Sequence, residues 1–274
     1  VAHDSDIEGL KELAQVMKKN GAKAIVQIHH GGAQALPELT PDGDVVAPSA
    51  ISLKSFGQQK EHDAREMTAE EIEQTIRDFG EATRRAIEAG FDGVEIHGAN
   101  HYLIHQFVSP YYNRRNDVWA DNYKFPVAVI DEVVKAKKAH ANDDFIIGYR
   151  LSPEEAESPG ISMEITEELI HQIANKPLDY IHVSLMDVNS VTREGKYKGE
   201  NRLELIHQWI NGRMALIGIG SVFTAEDALN AVENIGVEFV ALGREILLDY
   251  DFVAKIKEGR EDEIINAFDP NRED

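Results

Sequence analysis

The sequence predicts an α/β fold of the (β/α)8 TIM-barrel type, and three observations point to it. Amphipathic helical stretches alternate with short β-branched runs along the chain, each helix closed by Gly or Pro. The longest stretches without periodicity, residues 31–67, 101–123 and 186–201, each follow the C-terminal end of a strand, where barrels gather their chemistry. The first strand is not followed by the G-x-G-x-x-G turn usual in a doubly wound sheet. About six of the eight strand–helix units of a closed barrel are visible.

Residues 6–20 place Ile7, Leu10, Leu13, Ala14 and Met17 at helical spacing, stop at Gly21 and lead to a strand over 24–28. Thr68 and Glu71 form a capping box that opens a helix over 68–89; Gly90 ends it, and a strand follows over 93–97. Helix 125–139 precedes strand 145–150, and helix 166–175 precedes strand 180–184. Helix 203–211 stops at Gly212 before strand 215–219. Helix 224–234, opened by Thr224 and Asp227, stops at Gly236 before strand 238–242. A last helix over 245–258 closes the series. Runs such as Ala-Ile-Val-Gln-Ile and Phe-Ile-Ile-Gly-Tyr are apolar on both alternations, which predicts parallel strands covered on both faces. With no linker-like or low-complexity segment, residues 1–274 read as a single domain.

The 274 residues carry 28 Lys and Arg against 49 Asp and Glu, a net charge of −21. A field of that sign repels phosphate backbones and anionic lipid, so neither nucleic acid nor a membrane surface is an expected partner. The absence of Cys excludes disulfides, thiolate metal ligands and thiol nucleophiles. It also fits a reducing, cytoplasmic setting. No apolar run approaches the roughly 18 residues that a membrane helix needs. A homo-oligomer is compatible with all of this.

Three constellations can carry chemistry. His97, Asn100 and Tyr102 follow one strand end. A neutral imidazole N–H and an amide NH2 are donors suited to a carbonyl oxygen that gains negative charge, and a phenol can deliver a proton nearby. Gln27 ends a hydrophobic strand, where an amide must find a partner. It both donates and accepts, as the mixed edge of a planar heterocycle requires. Arg150 is a fixed cation at another strand end. His29 and His30 are adjacent on a strand and point to opposite faces, so one ion cannot easily take both, and no metal is expected. Gly220 and Ser221, then Gly243 and Arg244, lie between the last two strands and the helices that follow them, a ready cradle for a phosphate. From the residues alone, a flavin-free lyase or isomerase acting on a phosphorylated substrate stays open.

The segment Gly93-Val94-Glu95-Ile96-His97-Gly98-Ala99-Asn100-His101-Tyr102-Leu103-Ile104-His105-Gln106-Phe107, continued by Ser109-Pro110-Tyr111-Tyr112-Asn113-Arg114-Arg115-Asn116-Asp117, resembles the Old Yellow Enzyme family of FMN-dependent ene-reductases. Val26-Gln27-Ile28-His29-His30-Gly31-Gly32 resembles the family's third-strand motif. The resemblance implies a TIM barrel, FMN as cofactor and NADH or NADPH as reductant. Its substrate would be a small α,β-unsaturated carbonyl compound, reduced at its C=C bond in a ping-pong cycle. It implies that Gln27 and Arg150 contact the isoalloxazine ring, that Gly220, Ser221, Gly243 and Arg244 hold the phosphate, that His97 and Asn100 bind the substrate carbonyl, and that Tyr102 protonates the α-carbon. A non-catalytic, flavin-binding relative is the alternative within the same resemblance. The family's first two barrel strands lie before Val1, which matches the count of six and leads us to expect a chain lacking them. Ala33 stands where the family commonly has Arg, the 118–123 loop is short, and Ser221 replaces a common Gly. A positive φ at Ser221 would cost roughly 1–2 kcal/mol.

Overall fold

The structure is a computed structural model that describes residues 1–268. Helix α1 (Ile7–Lys18) leads into strand β1 (Ile25–Ile28). Three short strands follow, β2 (Val46–Ala47), β3 (Ile51–Leu53) and β4 (His62–Glu66), before α2 (Ala69–Glu88) and β5 (Gly93–Gly98). Next come α3 (Leu103–Val108), α4 (Lys124–His140), β6 (Ile146–Leu151), α5 (Met163–Ile173) and β7 (Tyr180–Val183). The chain continues through α6 (Arg202–Ile210), β8 (Ala215–Ile219), α7 (Ala225–Asn230), β9 (Phe239–Ala241), α8 (Arg244–Leu248) and α9 (Phe252–Lys257).

Six strands make one parallel sheet in the order β1-β5-β6-β7-β8-β9, so each new unit is added beside the last. This is the winding of a (β/α)8 barrel, over six strands. β1 and β9 are its two edges, and neither pairs with a further strand among the described residues.

The expectation that both faces are covered holds on the outer face only. Ile28, Ile96, Tyr149, Ile181 and Leu216 share one row in register and are buried beneath the helices. The opposite row begins Gln27, Glu95, Gly148, Tyr180 and is far more polar. Exposed Gln27 and Phe239 mark this inner face as half-open near the sheet edges. Its polarity is the first structural sign of a site.

The caps read from the sequence form as expected. The Glu71 N–H donates to Thr68 Oγ1 at 3.2 Å, and the Glu71 carboxylate accepts the Thr68 N–H at 2.8 Å. Thr224 and Asp227 repeat the device. Several elements differ from the sequence reading, among them α3, which forms inside the stretch 101–123, and α7, which ends at Asn230. α5 starts three residues early because Ser162 caps it. The last helix is two, broken at Asp249, whose carboxylate accepts the backbone N–H groups of Asp251 and Ile265 and binds Lys255. Residues 31–67 are not a bare loop, since β2, β4 and β3 form a small sheet around Ala33, Val45, Ala47, Ala64 and Tyr112.

Gly148 shows how tightly the inner face is built. A Cβ there would lie 2.0 Å from the Tyr180 ring, because that ring crosses Gly148 to reach Glu95. We expect Gly148→Ala to lower unfolding stability by about 1–3 kcal/mol, the usual effect of overpacking. Urea denaturation gives the number, and a midpoint equal to that of the wild type would refute the close approach.

Candidate active site

The register of the sheet assembles the site. His97 on β5 stands opposite Arg150 on β6, which stands opposite His182 on β7, so three polar side chains share the inner face in one row. One layer below, the Gln27 amide donates to Glu95 Oε1, while Glu95 Oε2 contacts His182 Nδ1 at 3.0 Å. Burial alone pushes the Glu95 carboxyl up. Hydrogen bonds from His182, Gln27 and Tyr180, with the charge of His182, outweigh that and hold it below the ordinary carboxylate range. Gln27 thus has a polar partner, although it is exposed and its position does not require one.

His97 is buried, and burial, then Arg150 and His29, drive its pKa down to about 4. It is therefore neutral near pH 7. Its Nδ1 accepts the Ala99 N–H at 3.2 Å, so the ring proton resides on Nε2, and Nε2–H is a donor. Tyr102 caps α3 and sets its ring edge-on to His97, centroids 5.0 Å apart. His29 completes an aromatic trio, 5.1 Å from Tyr102 and 5.9 Å from His97. The sequence reading weighed His29 only as a metal ligand. The His30-Gly31-Gly32 turn brings it here. The Leu103 N–H donates to His30 O at 3.0 Å, and Gln106 spans from the Ala33 N–H to His101 O. Gly32, at φ 56°, is required at that point, since a Cβ would lie 2.3 Å from Gln106 Oε1.

No hydrogen bond joins His97 to Asn100 directly among the described residues. The link between them runs through Arg150, which faces His97 in the register and donates from Nη2 to Ser184 Oγ at 3.1 Å. Ser184 Oγ in turn donates to Asn100 Oδ1 at 2.9 Å. The four glycine-flanked residues form a second group. Gly220 (φ 125°) and Ser221 (φ 53°) make a turn in which a Cβ at Gly220 would strike the Asp187 backbone at 2.5 Å. The positive φ that the sequence made costly at Ser221 is present, and Ser221 Oγ donates to Met186 O at 2.9 Å. Arg244 lies over the Phe223 ring at 5.1 Å, which links the loop after β9 to the loop after β8. Of the cradle's N–H groups, that of Gly243 is already taken by Glu245 Oε2 at 3.0 Å. The loop after β7 touches both groups, through Ser184 at one end and Met186 at the other.

A third cluster had no signal in the sequence. The Glu155 carboxylate is fully enclosed, and it accepts Ser109 Oγ–H and the Ile161 N–H at one oxygen while His105 Nε2 lies 2.7 Å from the other. His101 Nδ1 approaches to 3.6 Å. This clamp fastens α3 and the Ser109-Pro110 bend to the loop after β6.

Residues 1–263 match the NADH:flavin oxidoreductase / NADH oxidase family. The chain belongs to this family. It is 51% identical over 265 residues to a probable NADH-dependent flavin oxidoreductase, YqiG, of Bacillus subtilis, covering 95% of this chain and 70% of that one. It is 40% identical over 274 residues to the NADH:fumarate oxidoreductase of Klebsiella pneumoniae, covering 96% of this chain but 29% of that protein. Morphinone reductase in complex with tetrahydroNAD superposes with a TM-score of 0.77 at 23% identity, over 98% of this chain and 74% of that one, a likeness of fold. The protein is thus an oxidoreductase of the flavin- and nicotinamide-dependent kind, and the flavin-free lyase reading falls away.

The inner face fits such a cofactor on its own chemistry. Arg150 Nε is buried without a partner among the described residues, a donor at the end of β6 that a polar ring edge would satisfy. Gly243 has open space where a Cβ would stand, which leaves room for a group to approach the backbone beside Arg244.

The depressed pKa of His97 makes folding pH-dependent. Its ordinary value is 6.5, so between pH 6.5 and about 4 the unfolded chain holds a proton there that the folded chain does not. That contribution to stability is complete above pH 6.5 and is lost as pH falls toward 4. We expect His97→Gln to flatten the fall in urea-unfolding free energy between pH 7 and pH 4.5. An unaltered pH profile would mean that His97 titrates alike in both states.

Proposed function

We propose that the protein uses NADH or NADPH to reduce bound FMN and then reduces the activated C=C bond of a small α,β-unsaturated carbonyl compound, the two substrates taking turns at one site. What carries the reading is the donor state of His97. A buried, neutral imidazole with its proton on Nε2 is suited to an oxygen that becomes negative during reaction. When bound, FMN supplies the hydride chemistry. The chain's own residues do the rest. His97 and Asn100 hold the substrate carbonyl oxygen and draw charge from the alkene. Tyr102, packed at right angles to His97, delivers the proton to the α-carbon. Gln27 and Arg150 would hold the ring of the cofactor, and Gly220, Ser221, Gly243 and Arg244 would hold its phosphate. In this reading Glu245 yields the Gly243 N–H to the phosphate.

The test uses the intact purified protein. It is expected to show the visible absorption of FMN, to be bleached by NADH or NADPH and to be reoxidised by cyclohexenone. His97→Ala is expected to slow the reoxidation by about 100-fold or more, the usual cost of a lost oxyanion donor, and the bleaching far less. Equal slowing of both halves would assign His97 to holding the flavin. A protein that takes up no FMN, or whose reduced form cyclohexenone leaves untouched, would defeat the proposal.

A further inference from the structure

Asn100 and His101 both occupy the left-handed region, at φ 55° and 60°, although neither is glycine. The turn is gripped from two strand ends. Ser152, one residue past β6, accepts the Asn100 backbone N–H at 3.0 Å, and its hydroxyl donates to Asn100 Oδ1 at 3.3 Å. Ser184, one residue past β7, accepts from Arg150 Nη2 at 3.1 Å and donates to the same Oδ1 at 2.9 Å. Asn100 Nδ2 donates to no protein group among the described residues.

Proton counting favours one orientation of this amide. Each serine hydroxyl owns one proton, and each already receives an N–H from the protein, so its own proton must find an acceptor. The amide oxygen is that acceptor for both. With the amide turned over, each hydroxyl proton would lose this acceptor, and neither hydroxyl donates to any other acceptor among the described residues.

We propose that Ser152 and Ser184 are positioning residues that lock the Asn100 carboxamide, its oxygen held against the ends of β6 and β7 and its NH2 group presented to the substrate. Arg150 is part of the lock, because its N–H on Ser184 commits that hydroxyl's proton to Asn100. The consequence is selectivity: with His97 Nε2–H as the other donor, the pocket grips activating groups that only accept hydrogen bonds, such as ketones and carboxylate-type oxygens, and rejects groups that must donate. This deepens the substrate-binding role proposed above for Asn100 and rests on it.

The test is a double-mutant cycle in the intact, FMN-loaded protein. Ser152→Ala with Ser184→Ala is expected to raise the KM for cyclohexenone about tenfold, the scale of one lost, well-oriented hydrogen bond, whereas Ser184→Thr, which keeps the hydroxyl, stays near wild type. In an Asn100→Ala background the same pair of serine changes is expected to have no further effect on KM. A merely structural role would add its loss in both backgrounds, and that result, or an unchanged KM in the Asn100 protein, overturns the lock. The orientation is also read without turnover, from a neutron crystal structure of the double serine variant, which tells the amide oxygen from the NH2 group. An Asn100 amide left in place there overturns the lock whatever the enzyme reduces. A rotated amide in a protein that leaves cyclohexenone untouched upholds the lock and defeats only the functional reading.

Discussion

The parallel pairing of β5 with β6, with His97 opposite Arg150, is the constraint from which the site follows. Side chains in a strand alternate, so a slip of one residue would send His97 into the apolar outer row and bring Ile96 to the inner face. The outer row forbids that slip. Ile96, Ile147, Tyr149 and Ile181 are each fully buried, and exchanging any of them for the polar row would cost several buried side chains at once. Hydrophobic burial on one face therefore aligns the polar groups on the other to within a hydrogen bond. The chemistry needs no separate scaffold.

The polar inner face must still settle its own electrostatics. Glu95 is a buried carboxylate, costly unless satisfied, and it is met by Gln27, His182 and Tyr180. Gly148 makes room for one of these three, since only a residue without Cβ lets the Tyr180 ring cross β6. Among the described residues His97 has no such carboxylate partner within hydrogen-bond reach. Burial and the nearby Arg150 cation keep it neutral, which leaves it a donor rather than half of an ion pair. Two ionisable groups two residues apart on one strand thus take opposite states, one charged and one neutral, because of what their neighbours on β6 and β7 supply.

Features governed by periodicity were legible in the sequence. The six strands, the Thr68–Glu71 and Thr224–Asp227 caps and the position of each polar strand end all follow from local pattern. The β2, β3 and β4 strands were not, because no helix separates them and a run such as His62-Asp63-Ala64-Arg65-Glu66 lacks the apolar character that marked the other six. The Glu155 clamp escaped for a related reason. It joins residues about 50 positions apart through single hydrogen bonds, and nothing in Pro153-Glu154-Glu155 separates a buried carboxylate from an exposed one. Ser152 and Ser184 were equally silent as a pair, since a lone serine after a strand reads as a turn. Resemblance reached Asn100, but its partners were visible only in three dimensions.

Three non-glycine residues near the site hold left-handed backbone, Asn100, His101 and Ser221, where glycine would avoid roughly 1–2 kcal/mol of strain apiece. In each case the side chain has an engagement that glycine could not supply. Asn100 reaches Ser152 and Ser184, His101 packs its ring against that of His105 with centroids 4.7 Å apart, and Ser221 binds the Met186 carbonyl. The neighbouring loops are tied down independently, by Gln106 on one side and by the packing of Gly220 against the Asp187 backbone on the other, so the strained turns cannot relax by drifting. Strain retained where glycine was available argues that these side chains are worth more than the stability they cost. The alternation of the sheet could place His97 without strain, because His97 is on a strand. Asn100, the other donor of the proposed function, lies on a loop, and a loop residue keeps one orientation only when its backbone and one end of its side chain are held.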